Sequence, residues 1–289
     1  MVLPLSTDLR ILMLLAGAVS WLASAEDAGD ILSMLQLSAR VNSTGRGLAM
    51  AYLPYNFGHT VAVKAASSGL AWGDCGDRSG TSACLGFQTS NVTGCHLMYT
   101  PAKQWPADLA KEHFGGRSVF GILRDPYERM VAQFRGSGAR DYPELHAACD
   151  VSEAVKRRMR SYLDSVRGGN PYVSDCMMLP QAEYFEGPNG INLPIDGRLL
   201  PLSFNEVMER HGYPTIHMAT TAVSLKCEVS SFSLDAEARA MVKEMYARDL
   251  ALICKHFGYC NTDEIMCMSH LTGMCGGAPQ AVPVPAPEI

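Results

Sequence analysis

The chain has 289 residues, of which 47% are hydrophobic, and its 24 lysines and arginines against 29 aspartates and glutamates give a formal net charge of −5. That length suits one large domain with a generous core, and the composition excludes both wholesale disorder and a multispan membrane protein. The acidic balance does not exclude an anionic ligand. About ten of the basic residues fall between Arg117 and Arg167, and the local field matters more than the sum.

In chain order, Arg10 precedes the apolar stretch Ile11 to Ala23, and Ala23-Ser24-Ala25 has the small-x-small form of a signal-peptidase site. The stretch is shorter than the roughly 20 residues that span a bilayer. Residues 1–25 are therefore expected to be a cleaved signal peptide, with a short signal anchor as the alternative. Membrane contact is expected only if that segment is retained. Ten cysteines follow: Cys75, Cys84, Cys95, Cys149, Cys176, Cys227, Cys254, Cys260, Cys267 and Cys275. None forms a Cys-x-x-Cys pair or joins histidines at zinc spacing, so disulfides are expected and a metal is not. Asn42-Ser43-Thr44 and Asn91-Val92-Thr93 are glycosylation acceptors in form. All of this points to the secretory pathway, in the Golgi lumen or secreted.

Residues 26–46 are weakly patterned, with a helical stretch expected around Ile31 to Leu37. A domain is expected over 47–260, and a Cys-containing extension with a Pro-rich tail over 261–289. Gly47 to Leu53 reads as a buried strand, running through Pro54-Tyr55-Asn56-Phe57-Gly58 into a helix from Thr60 to Ser68. Asp74 to Thr93 reads as loop or short strands tied by cystines. Ser118 to Leu123 is a second apolar strand. Behind it Asp125 as N-cap, Pro126 at N1 and Glu128 at N3 predict a capping box and a helix ending near Gly136. Further helices are expected from Asp150 to Arg167, from Ser203 to His211, and from about Leu234 to His256. Strands alternating with helices imply a mostly parallel sheet flanked by helices, an α/β fold stabilised by disulfides. Ligands bind such sheets at the carboxyl ends of the strands, which is where two turns fall.

The first turn, Leu53 to Thr60, carries a strand into a helix through a glycine-bearing loop. Backbone amides and the helix dipole favour an anion there. Thr60 adds a hydroxyl and Lys64 could add charge. The second, Leu123-Arg124-Asp125-Pro126-Tyr127-Glu128-Arg129, holds a guanidinium at a strand end, where it can grip a phosphate or pair with a neighbouring carboxylate.

Together the turns resemble PAPS-dependent sulfotransferases of the carbohydrate type, PAPS being 3′-phosphoadenosine 5′-phosphosulfate. That family has a loop of the form Pro-Lys-x-x-Gly-Thr-Ser and a strand ending in Arg-Asp/Asn-Pro-x-x-Arg. Pro180 to Tyr184, Pro201 to Tyr213 and Met245 to Asp249 resemble further elements in the same order. The resemblance implies a P-loop-like sheet and transfer of a sulfuryl group from PAPS to a hydroxyl, with a glycan as acceptor and neither nucleic acid nor metal. It implies that Asn56, Phe57, Gly58, His59 and Thr60 cradle the phosphosulfate, and that Arg124 and Arg129 hold the 3′-phosphate. His96 is the first choice of base, because some carbohydrate sulfotransferases place a catalytic histidine shortly before the second motif, and His59 is the second. Tyr55 stands where the family has lysine, and Ala132 where it has serine. Lys64, His59 or an arginine of the Lys156–Arg160 run would have to compensate. The alternative is a catalytically impaired relative that binds a nucleotide or glycan.

Overall fold

Three short parallel strands lie at the centre of a computed structural model that describes residues 47–70, 72, 85–218 and 227–261. They are β1 (Leu48–Met50), β2 (Ser118–Leu123) and β3 (Leu193–Asp196), hydrogen-bonded in that order. The expectations for residues 1–46, for Cys75, Cys84, Cys267 and Cys275, and for the tail lie outside the described residues.

As the middle strand, β2 is covered on both faces, and its side chains alternate between two packing environments. Val119 and Leu123 join Ala49, Leu97, Phe114 and Ile191 in one core. Phe120 points the other way, edge-on to Trp72 at 5.0 Å and to Phe204 at 6.3 Å. Gly121 leaves room for the first core: a Cβ there would sit 2.4 Å from Ile191 Cδ1. Strand partners Leu123 and Asp196 bring the carboxyl ends of β2 and β3 to one edge.

Helices flank this sheet. In chain order they are α1 (Gly58–Ser67), α2 (Ala107–Phe114), α3 (Pro126–Asp141), α4 (Pro143–Ala147), α5 (Val151–Arg167), α6 (Leu202–Arg210), α7 (Ala236–Met245) and α8 (Ala247–Phe257). A second core joins α3, α5 and α7 through Met130, Phe134, Met159, Tyr162, Ala238 and Val242. The mixed α/β fold with a parallel sheet is thus observed. So are disulfides, which link Cys95 to Cys176, Cys149 to Cys227 and Cys254 to Cys260.

Several local expectations need correcting. The strand predicted over Gly47 to Leu53 is three residues long, and α1 begins at Gly58 rather than Thr60. Helix α3 runs past Gly136 to Asp141. Gly138 there serves close packing, since a Cβ would lie 3.0 Å from Phe134 and 3.2 Å from His146. The capping box is half present. Asp125 accepts from the amides of Tyr127 and Glu128, but Glu128 accepts from the Ser231 amide at 2.7 Å instead of reaching back. Ser203 does not cap α6; its hydroxyl donates to the Asp196 carbonyl at 2.7 Å. The long C-terminal helix is two helices, broken at Tyr246, whose buried phenol donates to the Met178 carbonyl. Strand β3, which carries Pro194, was not expected.

The Lys156–Arg160 run is largely a paired helix face. Lys156 meets Glu153, Asp235 and Glu237, Arg157 meets Glu144 and Glu153, and Arg160 meets Glu237. Exposed pairs of this kind contribute little stability, and they face their own carboxylates rather than the glycine-bearing turn. Asn91 is exposed on a turn closed by a bond from the Gly94 amide to the Ser90 carbonyl.

Candidate functional site

The turn after β1 and the turn after β2 are joined by one guanidinium. Arg124 Nη1 donates to the Tyr55 carbonyl at 2.8 Å. Its Cζ lies 4.8 Å from the centre of the Phe57 ring, a cation–π distance. Only 4% of the residue is exposed. Burial lowers its pKa to about 10, which leaves it charged at neutral pH. Glu128 Oε2 is 3.8 Å from Nη2, beyond hydrogen-bond distance, and Arg135 lies 3.6 Å from the same carboxylate oxygen. Nε and Nη2 of Arg124 have no hydrogen-bond partner.

The turn itself is braced from below. Asn56 is buried, and its Nδ2 donates to the Ile122 carbonyl at 2.7 Å and to Gln181 Oε1. Gln181 also accepts from the Arg124 amide at 3.0 Å and donates to the Arg124 carbonyl at 2.7 Å. Asp249 in turn accepts from the Gln181 and Ala182 amides, both at 2.9 Å. The Pro180-Gln181 and Asp249 elements picked out in the sequence thus form one bracket beneath both turns. Tyr55 and Phe57 take left-handed φ values of 64° and 66°, a conformation costly for bulky residues and common at ligand sites. Gly58 is required: a Cβ would fall 2.7 Å from the Tyr52 ring. No side chain caps α1, so its N-terminus faces the turn without a side-chain acceptor.

The other expected residues fare differently. His59 and Thr60 are exposed in the first turn of α1. Lys64 is exposed in its last turn, about 6 Å further along the axis than Thr60, and is not brought to the N-terminal end. Arg129 is fully buried and its donors are taken: Nε by the Pro54 carbonyl at 3.2 Å, Nη1 by Leu179 at 2.8 Å, Nη2 by Met177 at 3.0 Å. It supports the turn from behind. Tyr55, in the lysine position, donates its hydroxyl to Met177 Sδ at 3.4 Å.

His96 stands apart from the turn. Its ring is 6.5 Å from Tyr99, Tyr99 is 5.3 Å from Tyr52, and Tyr52 packs on Gly58. Asp175, which the sequence reading missed, holds His96 with both oxygens: Oδ2 is 2.6 Å from Nδ1, and Oδ1 accepts from the His96 amide at 2.7 Å. The Cys95–Cys176 disulfide joins the neighbours of both residues. The neutral ring then carries its proton on Nδ1 and keeps Nε2 as acceptor. Ser174, Asp175 and Cys176 are successive left-handed residues, with φ of 52°, 55° and 60°. The only advance signal was Cys176 itself, directly beside the acid.

Asp125 is buried beside this site with Oδ2 unpartnered. Burial, outweighing bonds from the Glu128 and Tyr127 amides, pushes its carboxyl up to about 7. A folded-state value above the unfolded 3.8 means that this group's stabilising effect is complete below about pH 4 and is lost as pH rises through 7. Asp125→Asn keeps the cap acceptor. We expect its thermal midpoint to fall less than that of the wild type between pH 5 and 8, the gap corresponding to at most about 3 kcal/mol. Parallel profiles in scanning calorimetry would refute this.

Among the described residues, no group of three or more histidine, cysteine or acidic side chains is placed to hold a metal, and no helix is long and apolar enough to cross a membrane. No family model matches the chain, and neither a curated protein nor a solved structure does.

Proposed function

We propose that the chain is a PAPS-dependent sulfotransferase of the secretory pathway, acting on a glycan hydroxyl through a P-loop-like site. The observation that carries this reading is Arg124, a buried charged guanidinium tied to the glycine-bearing turn with two donors unmet. Buried donors are rarely left bare, and a phosphate oxygen supplies the missing acceptor. The uncapped N-terminus of α1 favours a second anionic group close by. These features suit a nucleotide carrying two anionic ends. Bound PAPS would supply the sulfuryl group; the chain's part is to hold the anions, orient the acceptor and receive its proton. Three disulfides fit an oxidising lumen.

Two features favour a second reading, a binder that has lost catalysis. The hydroxyl of Tyr55 is turned onto Met177 where the resembled loop has a cation, and the Phe57 ring lies against Arg124. Two measurements separate the readings. PAP, the desulfated donor product, should raise the melting temperature under either. Transfer of labelled sulfate to a glycan panel occurs only under the first. Absence of any PAP-induced shift removes both.

In this reading Asp175 is a positioning residue for His96. Asp175→Ala should slow transfer tenfold or more with KM within threefold, and should move the neutral His96 proton from Nδ1 to Nε2 in ¹⁵N spectra. Unchanged transfer in that variant, with loss on His59→Ala, would assign the base to His59 instead.

A further inference from the structure

A cavity of about 400 Å³ opens between the end of α3, α5 and the left-handed segment around Ser174, within the range of small-molecule sites. It lies beside the glycine-bearing turn, because Met177 in its wall takes hydrogen bonds from both Tyr55 and Arg129.

Its charge is uneven. Arg140 Nε lies 2.9 Å from Asp141, and Arg158 bonds to the same carboxylate. Two guanidiniums against one carboxylate leave a positive charge over at that end. Asp175 also lines the cavity, with both its oxygens turned to His96. Tyr162 is 3% exposed and lines the cavity. Its hydroxyl is a polar group that a ligand in the cavity could meet. The hydroxyls of Ser161 and Ser174 are further donors and acceptors on the wall, and Met177 and Met178 give an apolar patch. Hydroxyl partners, a small apolar floor and a local excess of positive charge at Arg140 and Arg158 describe a sugar-binding surface with a place for an acid.

The geometry points to this cavity as a binding site for a saccharide unit bearing one carboxylate, with the acid toward Arg140 and Arg158 and ring hydroxyls toward Tyr162 and Ser174. The choice of a saccharide rests on the sulfotransferase reading; the charge and shape of the cavity do not.

The test titrates the full protein calorimetrically, without nucleotide, using a hyaluronan tetrasaccharide and the neutral chitotetraose. The acidic probe should bind at least tenfold more tightly. Ser161→Trp, at an exposed position on α5, should block the cavity and abolish binding. Arg158→Gln should weaken the acidic probe at least fivefold, whereas Asp141→Asn should tighten it, a sign that loss of folding would not produce. Equal affinities, no binding of the acidic probe, or binding that survives Ser161→Trp would overturn the inference. PAP-induced stabilisation measured in parallel separates the two proposals. Saccharide binding without a PAP effect leaves the cavity standing and removes the sulfotransferase; the reverse result does the opposite.

Discussion

Arg129→Met is expected to destabilise the protein by about 3–5 kcal/mol, the range for breaking one side of a buried ion pair. The guanidinium bonds three carbonyls drawn from two separate stretches of chain, Pro54 on one side and Met177 and Leu179 on the other. Its Nη1 is also 4.0 Å from Asp249, and both side chains are fully buried. Methionine fills much of the volume but strands three acceptors and an acid. Lysine cannot replace the planar fork of donors. For a domain of this size a fall in melting temperature of roughly 10 °C follows. Since the acid left behind is part of the penalty, adding Asp249→Asn should cost less than its separate effect, by 1 kcal/mol or more. Denaturant titration of the two single variants and the double variant measures this. A loss below 1 kcal/mol for Arg129→Met would show that the carbonyls find other donors, and that the two turns do not depend on this residue.

The second large effect concerns ligand rather than fold. Arg124→Ala should weaken PAP binding by at least about 2 kcal/mol, roughly thirtyfold, the loss expected for charge-assisted bonds to a phosphate. The wild type with PAP at about 100 times its Kd gains roughly 2.7 kcal/mol of stability; the variant at the same concentration should gain little. Apo stability must be measured beside it, because the substitution also removes the bond to Tyr55 and leaves Glu128 less compensated. Arg124→Lys keeps the charge, so it should recover part of the affinity. If PAP binds the alanine variant as it binds the wild type, the unmet donors serve something else.

How far the sequence revealed these features differs from place to place. β2, Arg124 and the start of α3 were legible because strand pattern, N-cap and Pro126 all act locally. The far end of α3 was not, because Gly138 is needed for the close approach of His146 from the next helix as well as of Phe134 from its own. Arg124 and Arg129 share one motif yet have opposite surroundings, one with two nitrogens unmet and one with all three nitrogens hydrogen-bonded, and spacing cannot tell them apart. Lys64 was placed by adjacency in sequence; helical rise carried it away. Asp175 was invisible because it meets His96 across 79 residues. The break at Tyr246 follows from its phenol reaching Met178, a tertiary contact that overrides good helical periodicity on both sides.

The bridge between Cys95 and Cys176 closes a segment of 81 residues, a restraint on the unfolded chain of about 4 kcal/mol. Its position matters more than its strength, because an imidazole follows one sulfur in the chain and a carboxylate precedes the other. Protein made in a reducing cytosol could still assemble the strands while leaving these two groups free to drift apart. Batches prepared in different hosts would then look alike by circular dichroism and differ in how firmly His96 is held, so thiol content has to be counted before any histidine measurement is compared.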